Sequence, residues 1–170
     1  MRSQRIGRRF DPVHLHQIHF TRKGLLVRMT QAVLQHGQTS IKPRIMLVDD
    51  EEFFRKTICE LLASEGIDVV TAVGANECLQ LLRCGFRGVI LMDVVMHGMD
   101  GWSTIREIEK AGLLKGNIIS MLTALDVPDD RMEGLQEVVI DYITKPFEPS
   151  DFIASVRKYL ALLDQLKGTI

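Results

Sequence analysis

From residue 44 onward the chain keeps one rhythm, and that rhythm restricts what it can fold into more than any other feature. Short apolar runs that stop at a polar residue alternate with segments whose apolar residues recur every three or four positions. Ile45, Met46, Leu47 and Val48 form the first run and stop at Asp49 and Asp50. A strand that is apolar at every position is apolar on both faces, which suits a parallel sheet covered on both sides. Phe54, Ile58, Leu61 and Leu62 then follow at helical spacing, with Gly66 as the stop. The cycle continues with a strand at 67–72, a helix marked by Ala75, Cys78, Leu79 and Leu82 and closed by Gly85, and a strand at 88–92. Trp102, Ile105 and Ile108 mark a helix ended by Gly112, and 117–122 reads as the fourth strand. Pro128 opens a helix bearing Met132, Leu135 and Val138, and 140–144 reads as the fifth strand. Ser150 is expected to cap a last helix bearing Phe152, Val156, Tyr159 or Leu160, and Leu163. Five strand–helix units in about 120 residues predict an α/β fold, a doubly wound five-stranded parallel sheet with helices on both faces.

Charge divides the chain at the same place. Residues 1–43 hold eight Lys/Arg and one acid, whereas 44–170 hold thirteen bases and twenty-one acids, so a net charge of −1 averages +7 with −8. A basic extension on an acidic domain is the expected organisation: 1–43 a flexible extension, 44–165 one domain, 166–170 a short tail. An alternative is that translation begins at Met29, which leaves a short lead before the first strand. Low hydrophobicity with high net charge would signal disorder, and 46% hydrophobic residues argue against it. No apolar run approaches the ~18 residues of a membrane span. Leu15, Ile18 and Phe20 are interrupted by polar residues, so no signal-peptide core follows the basic start and a cytoplasmic location is expected. Cys59, Cys78 and Cys84 are odd in number and lack C-x-x-C spacing, which argues against a disulfide framework or a zinc site.

In doubly wound sheets the ligand site lies beyond the carboxyl ends of the strands. Asp49 and Asp50 follow the first strand, Asp93 the third, Thr123 the fourth and Lys145 the fifth. Taken singly these residues mean little: Asp49 and Asp50 would cap a helix, Asp93 would start a turn, and Lys145–Pro146 would end a strand. Together they put three carboxylates, a hydroxyl and an ammonium in one crevice. Three adjacent carboxylates raise each other's pKa, and a hard divalent cation relieves the repulsion. Such a set suits phosphoryl transfer, with a carboxylate itself able to act as nucleophile.

Four strings carry a resemblance: IMLVDDEE at 45–52, LMDVVMHGMDG at 91–101, MLTA at 121–124 and DYITKPF at 141–147. With 43, 30 and 22 residues separating Asp50, Asp93, Thr123 and Lys145, this pattern resembles the receiver domain of two-component response regulators, single-domain chemotaxis regulators included. The resemblance implies a flavodoxin-like strand order of 2-1-3-4-5. It implies Asp93 as phosphoacceptor. Asp50 would be a direct Mg2+ ligand, Asp49 a ligand through water, and the main-chain carbonyl of Val95 a further contact. Thr123 would be the hydroxyl that moves to the phosphoryl group, Lys145 its cation, and Tyr142 the switch aromatic; the Lys145–Pro146 peptide is expected to be cis.

The chain departs from the family in places. His97 stands where proline is common, which leaves either an exposed loop histidine or a titratable group near the site. Val138, Val139 and Ile140 replace a common Gly-Ala-Asp and make the face of the fourth helix, fifth strand and last helix more apolar. Val95 and Leu125 stand at positions that in the family flank the path of the hydrolytic water, and two apolar side chains there predict slow self-dephosphorylation.

The expected function is phosphorelay signalling: Asp93 takes a phosphoryl group from a histidine kinase or phosphotransfer protein. Its output is binding of another protein through that face, with no separate output domain and no enzymatic turnover. The alternative is a small aspartyl-phosphate phosphotransferase or phosphatase on the same fold. A phosphatase of that kind wants a second acid two residues beyond the nucleophile, where this chain has Val95. Scattered basic residues with few aromatics in 1–43 argue against nucleic acid as a partner.

Overall fold

The computed structural model describes residues 44–124, 134–135 and 137–167. Its elements run β1 (Ile45–Val48), α1 (Glu52–Ser64), β2 (Val69–Ala72), α2 (Ala75–Arg83), β3 (Val89–Asp93), α3 (Gly101–Lys110), β4 (Ile118–Thr123), β5 (Val139–Thr144) and α4 (Pro149–Lys167). The strands form one parallel sheet in the order β2-β1-β3-β4-β5. This is the doubly wound, flavodoxin-like arrangement the sequence predicts. The helix expected from Pro128 falls outside the described residues, apart from buried Leu135 and half-buried Val138.

Alternation along each strand sends neighbouring side chains into two different cores. Met46, Val48, Ile90, Met92, Ile119 and Met121 pack with Leu81 and Leu82 of α2 and Trp102, Ile105 and Ile108 of α3. Ile45, Leu47, Val89, Leu91, Ile118 and Leu122 pack with Ile58 and Leu62 of α1 and Phe152, Val156, Tyr159 and Leu163 of α4. Every residue of β1, β3 and β4 is buried, while β5 alternates with exposed Ile140, Tyr142 and Thr144. Of the valine–isoleucine insertion, Val139 is core, Val138 is half-buried and Ile140 is open to solvent.

The structure moves several predicted boundaries. β2 starts at Val69, two residues late, because Ile67 belongs to the helix closure: its N–H reaches the Leu62 carbonyl at 2.9 Å. That closure turns on Gly66 at φ +70°, a conformation a side chain disfavours. Asp93 and Thr123 end their strands rather than follow them. Ser150 does not cap the last helix; α4 begins at Pro149, whose ring presets the first turn, and Phe152 N–H bonds the Glu148 carbonyl. Cys84 lies just past α2 and is exposed, whereas Cys78 is buried and its thiol is pushed up to about 12 by desolvation. No helix among the described residues is long and apolar enough to cross a membrane.

Candidate phosphoacceptor and metal site

Register assembles the site. Val48 pairs with Met92, so the residues that follow, Asp49 and Asp93, emerge side by side from the two central strands. Thr123 pairs with Thr144, which delivers Lys145 at the same edge. The main chain continues the ladder there: Lys145 N–H bonds the Thr123 carbonyl at 2.6 Å and Val94 N–H the Leu122 carbonyl at 3.0 Å. One carboxylate oxygen each from Asp49, Asp50 and Asp93 lies within 4.8 Å of the other two. Lys145 Nζ bridges two of them, at 2.8 Å from Asp49 Oδ2 and 3.1 Å from Asp93 Oδ1. Thr123 is buried at the end of β4 and Tyr142 sits on β5, 37% exposed.

Asp49 is almost completely buried, so its charge needs partners. Besides Lys145, its Oδ1 accepts the Glu51 N–H at 2.8 Å, which also steers the chain into α1. Asp50 is more open and accepts the His97 N–H at 2.7 Å, and the His97 imidazole Nδ1 contacts the same Oδ2. The His97 N–H holds the Asp50 carboxyl below its ordinary range, with the imidazole adding to the effect against some desolvation. Asp93 goes the other way. Burial pushes its carboxyl up; Lys145 opposes by charge and hydrogen bond, and the Asp49 and Asp50 charges push further up. Burial also raises the Tyr142 hydroxyl.

The loop after β3 is shaped by close contacts. Gly101 packs so tightly that a Cβ there would stand 2.2 Å from the Asp93 carbonyl oxygen. Asp100 caps α3 through Ser103 N–H at 2.7 Å, and Gly98 turns the loop at φ +81°. Val95 lies in this loop with 65% exposure. The Lys145–Pro146 peptide is cis. Leu125 lies outside the described residues.

Two positioning residues escaped the sequence reading. Phe54 places its ring 3.8 Å below Lys145 Nζ and packs edge-on with Phe147, which stacks on Phe152 at 4.6 Å. Arg55 reaches the Asp49 carbonyl at 2.7 Å. Phe54 carries only a helix-period signal, and nothing local distinguishes Arg55 from any surface arginine. Both alternatives read for His97 hold: its side chain is exposed, and it touches Asp50 at the site.

The fold is a doubly wound α/β sheet with a carboxylate cluster at its strand ends, and comparison with known proteins places the chain within a family. The response regulator receiver domain model matches residues 45–157, and the chain belongs to that family. It is 34% identical over 129 residues to the probable transcriptional regulator ycf27 of Pyropia yezoensis, covering 76% of this chain and 52% of that one. It is 31% identical over 114 residues to the phosphate regulon transcriptional regulatory protein PhoB of Escherichia coli K12, covering 67% and 50%. The chain thus spans about half the length of the curated relatives it matches. Among solved structures, the CheY-like receiver domain protein of Methanospirillum hungatei JF-1 matches with TM-score 0.68 and 42% identity over 71% of this chain and 96% of that one. Receiver domains bind Mg2+ at an acidic pocket, and the oxygen-only donor set of Asp49, Asp50 and Asp93 fits a hard divalent cation.

Proposed function

We propose that this chain is a phosphorylation-activated regulator in which Asp93 accepts a phosphoryl group from the phosphohistidine of a histidine kinase or phosphotransfer protein. The observation that carries this reading is Lys145 Nζ bridging Asp49 and Asp93 inside a cluster of three carboxylates. In the transfer an Asp93 carboxylate oxygen bonds to phosphorus while the P–N bond to the donor imidazole breaks, and the imidazole, already protonated on its other ring nitrogen, leaves neutral with the electron pair of that bond. Asp49, Asp50, Asp93 and the Val95 carbonyl would hold Mg2+, which when bound would supply positive charge against the phosphoryl oxygens. Lys145 then exchanges its Asp93 contact for a phosphoryl oxygen, and Phe54 keeps the ammonium from swinging away.

Thr123 is the hydroxyl that follows the phosphoryl group, and Tyr142 fills the space it leaves. Tyr142 is suited to this movement because it is only partly covered and its ring lies 6.2 Å from that of buried Trp102. The altered surface is the half-open β5 edge with α4, and a partner protein in the cytoplasm reads it. The chain modifies itself and turns over no separate substrate. Val95 shields one side of the acyl phosphate, so the phosphoryl group is lost slowly, with a half-life in Mg2+ of minutes or longer; loss within seconds would contradict this.

The test is incubation with a small acyl phosphate donor and Mg2+. Wild type should acquire acid- and base-labile phosphate and Asp93→Asn none. Equal labelling of the variant would remove Asp93 from its role, and steady turnover of added phosphomonoesters would favour the phosphatase reading.

A further inference from the structure

We propose that His97 is a nitrogen ligand that biases the acidic pocket toward borderline divalent cations of the first transition row, such as Mn2+ and Co2+, over Mg2+. This rests on the reading of Asp49, Asp50 and Asp93 as a divalent-cation site. The imidazole Nδ1 of His97 contacts Asp50 Oδ2, and the main-chain N–H of the same residue donates to that oxygen at 2.7 Å. Backbone and side chain are therefore both tied to the mouth of the pocket. The side chain is otherwise fully exposed, so no packing resists its rotation.

Donor atoms in adjacent positions around a cation with bonds of about 2.1 Å lie about 3 Å apart. The His97 imidazole nitrogen touches Asp50 Oδ2 from outside the 4.8 Å group that the three carboxylates form, and a turn about its side-chain bonds would carry it toward the ion. The donor set then changes from oxygen alone to oxygen plus nitrogen. Imidazole strengthens binding of first-row transition ions far more than of Mg2+, whose preferred ligands are oxygens. A neutral imidazole also adds a donor without a fourth negative charge beside Asp49, Asp50 and Asp93, where like charge already pushes Asp93 up.

The test uses the full chain loaded with Mn2+ and pulsed electron paramagnetic resonance. Wild type should show nitrogen hyperfine modulation from a coordinated imidazole, and His97→Ala, still loaded with Mn2+, should lose it. His14, His16, His19 and His36 remain in the variant, so nitrogen coupling that survives there overturns the proposal. By calorimetry, the ratio of Co2+ to Mg2+ affinity should fall about tenfold in His97→Ala. An unchanged ratio, or a gain in Mg2+ affinity that shows His97 merely competing for Asp50, overturns it as well. Mn2+ bound in wild type without nitrogen coupling defeats the role of His97 alone. Absence of Mn2+ binding, or binding that persists in Asp50→Asn, defeats the reading of the pocket beneath it.

Discussion

The centre of the sheet and its β5 edge are built on opposite terms. β1, β3 and β4 are buried at every position and end in the charged cluster, while β5 keeps Ile140, Tyr142 and Thr144 open. The centre has little room to move, which fixes Lys145 within a hydrogen bond of Asp49 and Asp93. The edge has room, and a side chain there changes position at low cost. Rigid chemistry beside an adjustable surface is what a switch requires, since a local change in charge must bias an element with two arrangements.

Substitutions of equal size should therefore differ most between these regions. Leu91→Ala, in the middle of β3, should lower unfolding free energy by about 3 kcal/mol in urea melts through lost burial and a cavity. Gly101→Ala should cost about 2 kcal/mol, because its new Cβ meets main chain at the Asp93 carbonyl rather than a side chain that can turn aside. Tyr159→Phe removes a buried hydroxyl that accepts from Ser120 at 3.3 Å and donates to Asp141 at 3.0 Å, and should cost about 1 kcal/mol. Ile140→Thr, on the exposed face of β5, should change stability by less than about 0.5 kcal/mol while weakening capture of a partner by the phosphorylated form. If the Leu91 and Ile140 variants cost the same, the contrast between centre and edge is wrong.

Acid titration sharpens the same contrast within the pocket. Asp93 has its carboxyl raised in the folded state, so the fold binds that proton more tightly than the unfolded chain does. Its contribution is present below the unfolded pKa and lost as pH rises through the folded one. Asp50 is lowered, so its contribution is present above the unfolded pKa and lost as pH falls through the folded one. Asp93→Asn should thus raise stability at neutral pH and flatten the decline on the alkaline side of the acid range. A loss of stability at neutral pH would show that Lys145 outweighs burial at this site.

Much of the fold was legible because each strand of the centre is apolar on both faces and each helix on one. Lys145 and the three aspartates were legible for a related reason: a charge directly after a buried run has nowhere to go but the strand-end crevice. Ser150 misled because a capping residue and the proline before it compete for the same helix start, and proline at the first position prevailed. The roles of Phe54 and Arg55, and which carboxylate His97 would meet, could not be read. They depend on distances across elements separated by tens of residues, and local spacing carries no trace of those. The division of Val138, Val139 and Ile140 between core and solvent likewise waits on where β5 begins.

The central claim is that a phosphoryl group at Asp93 alters the β5 edge. Amide resonances of the 15N-labelled chain, recorded in Mg2+ before and after treatment with the small acyl phosphate donor, test it most directly. The account predicts large shifts at Thr123, Ile140 and Tyr142 as well as at the pocket, all absent in Asp93→Asn. Shifts confined to Asp49, Asp50, Asp93 and their loop, with β5 unmoved, would contradict it.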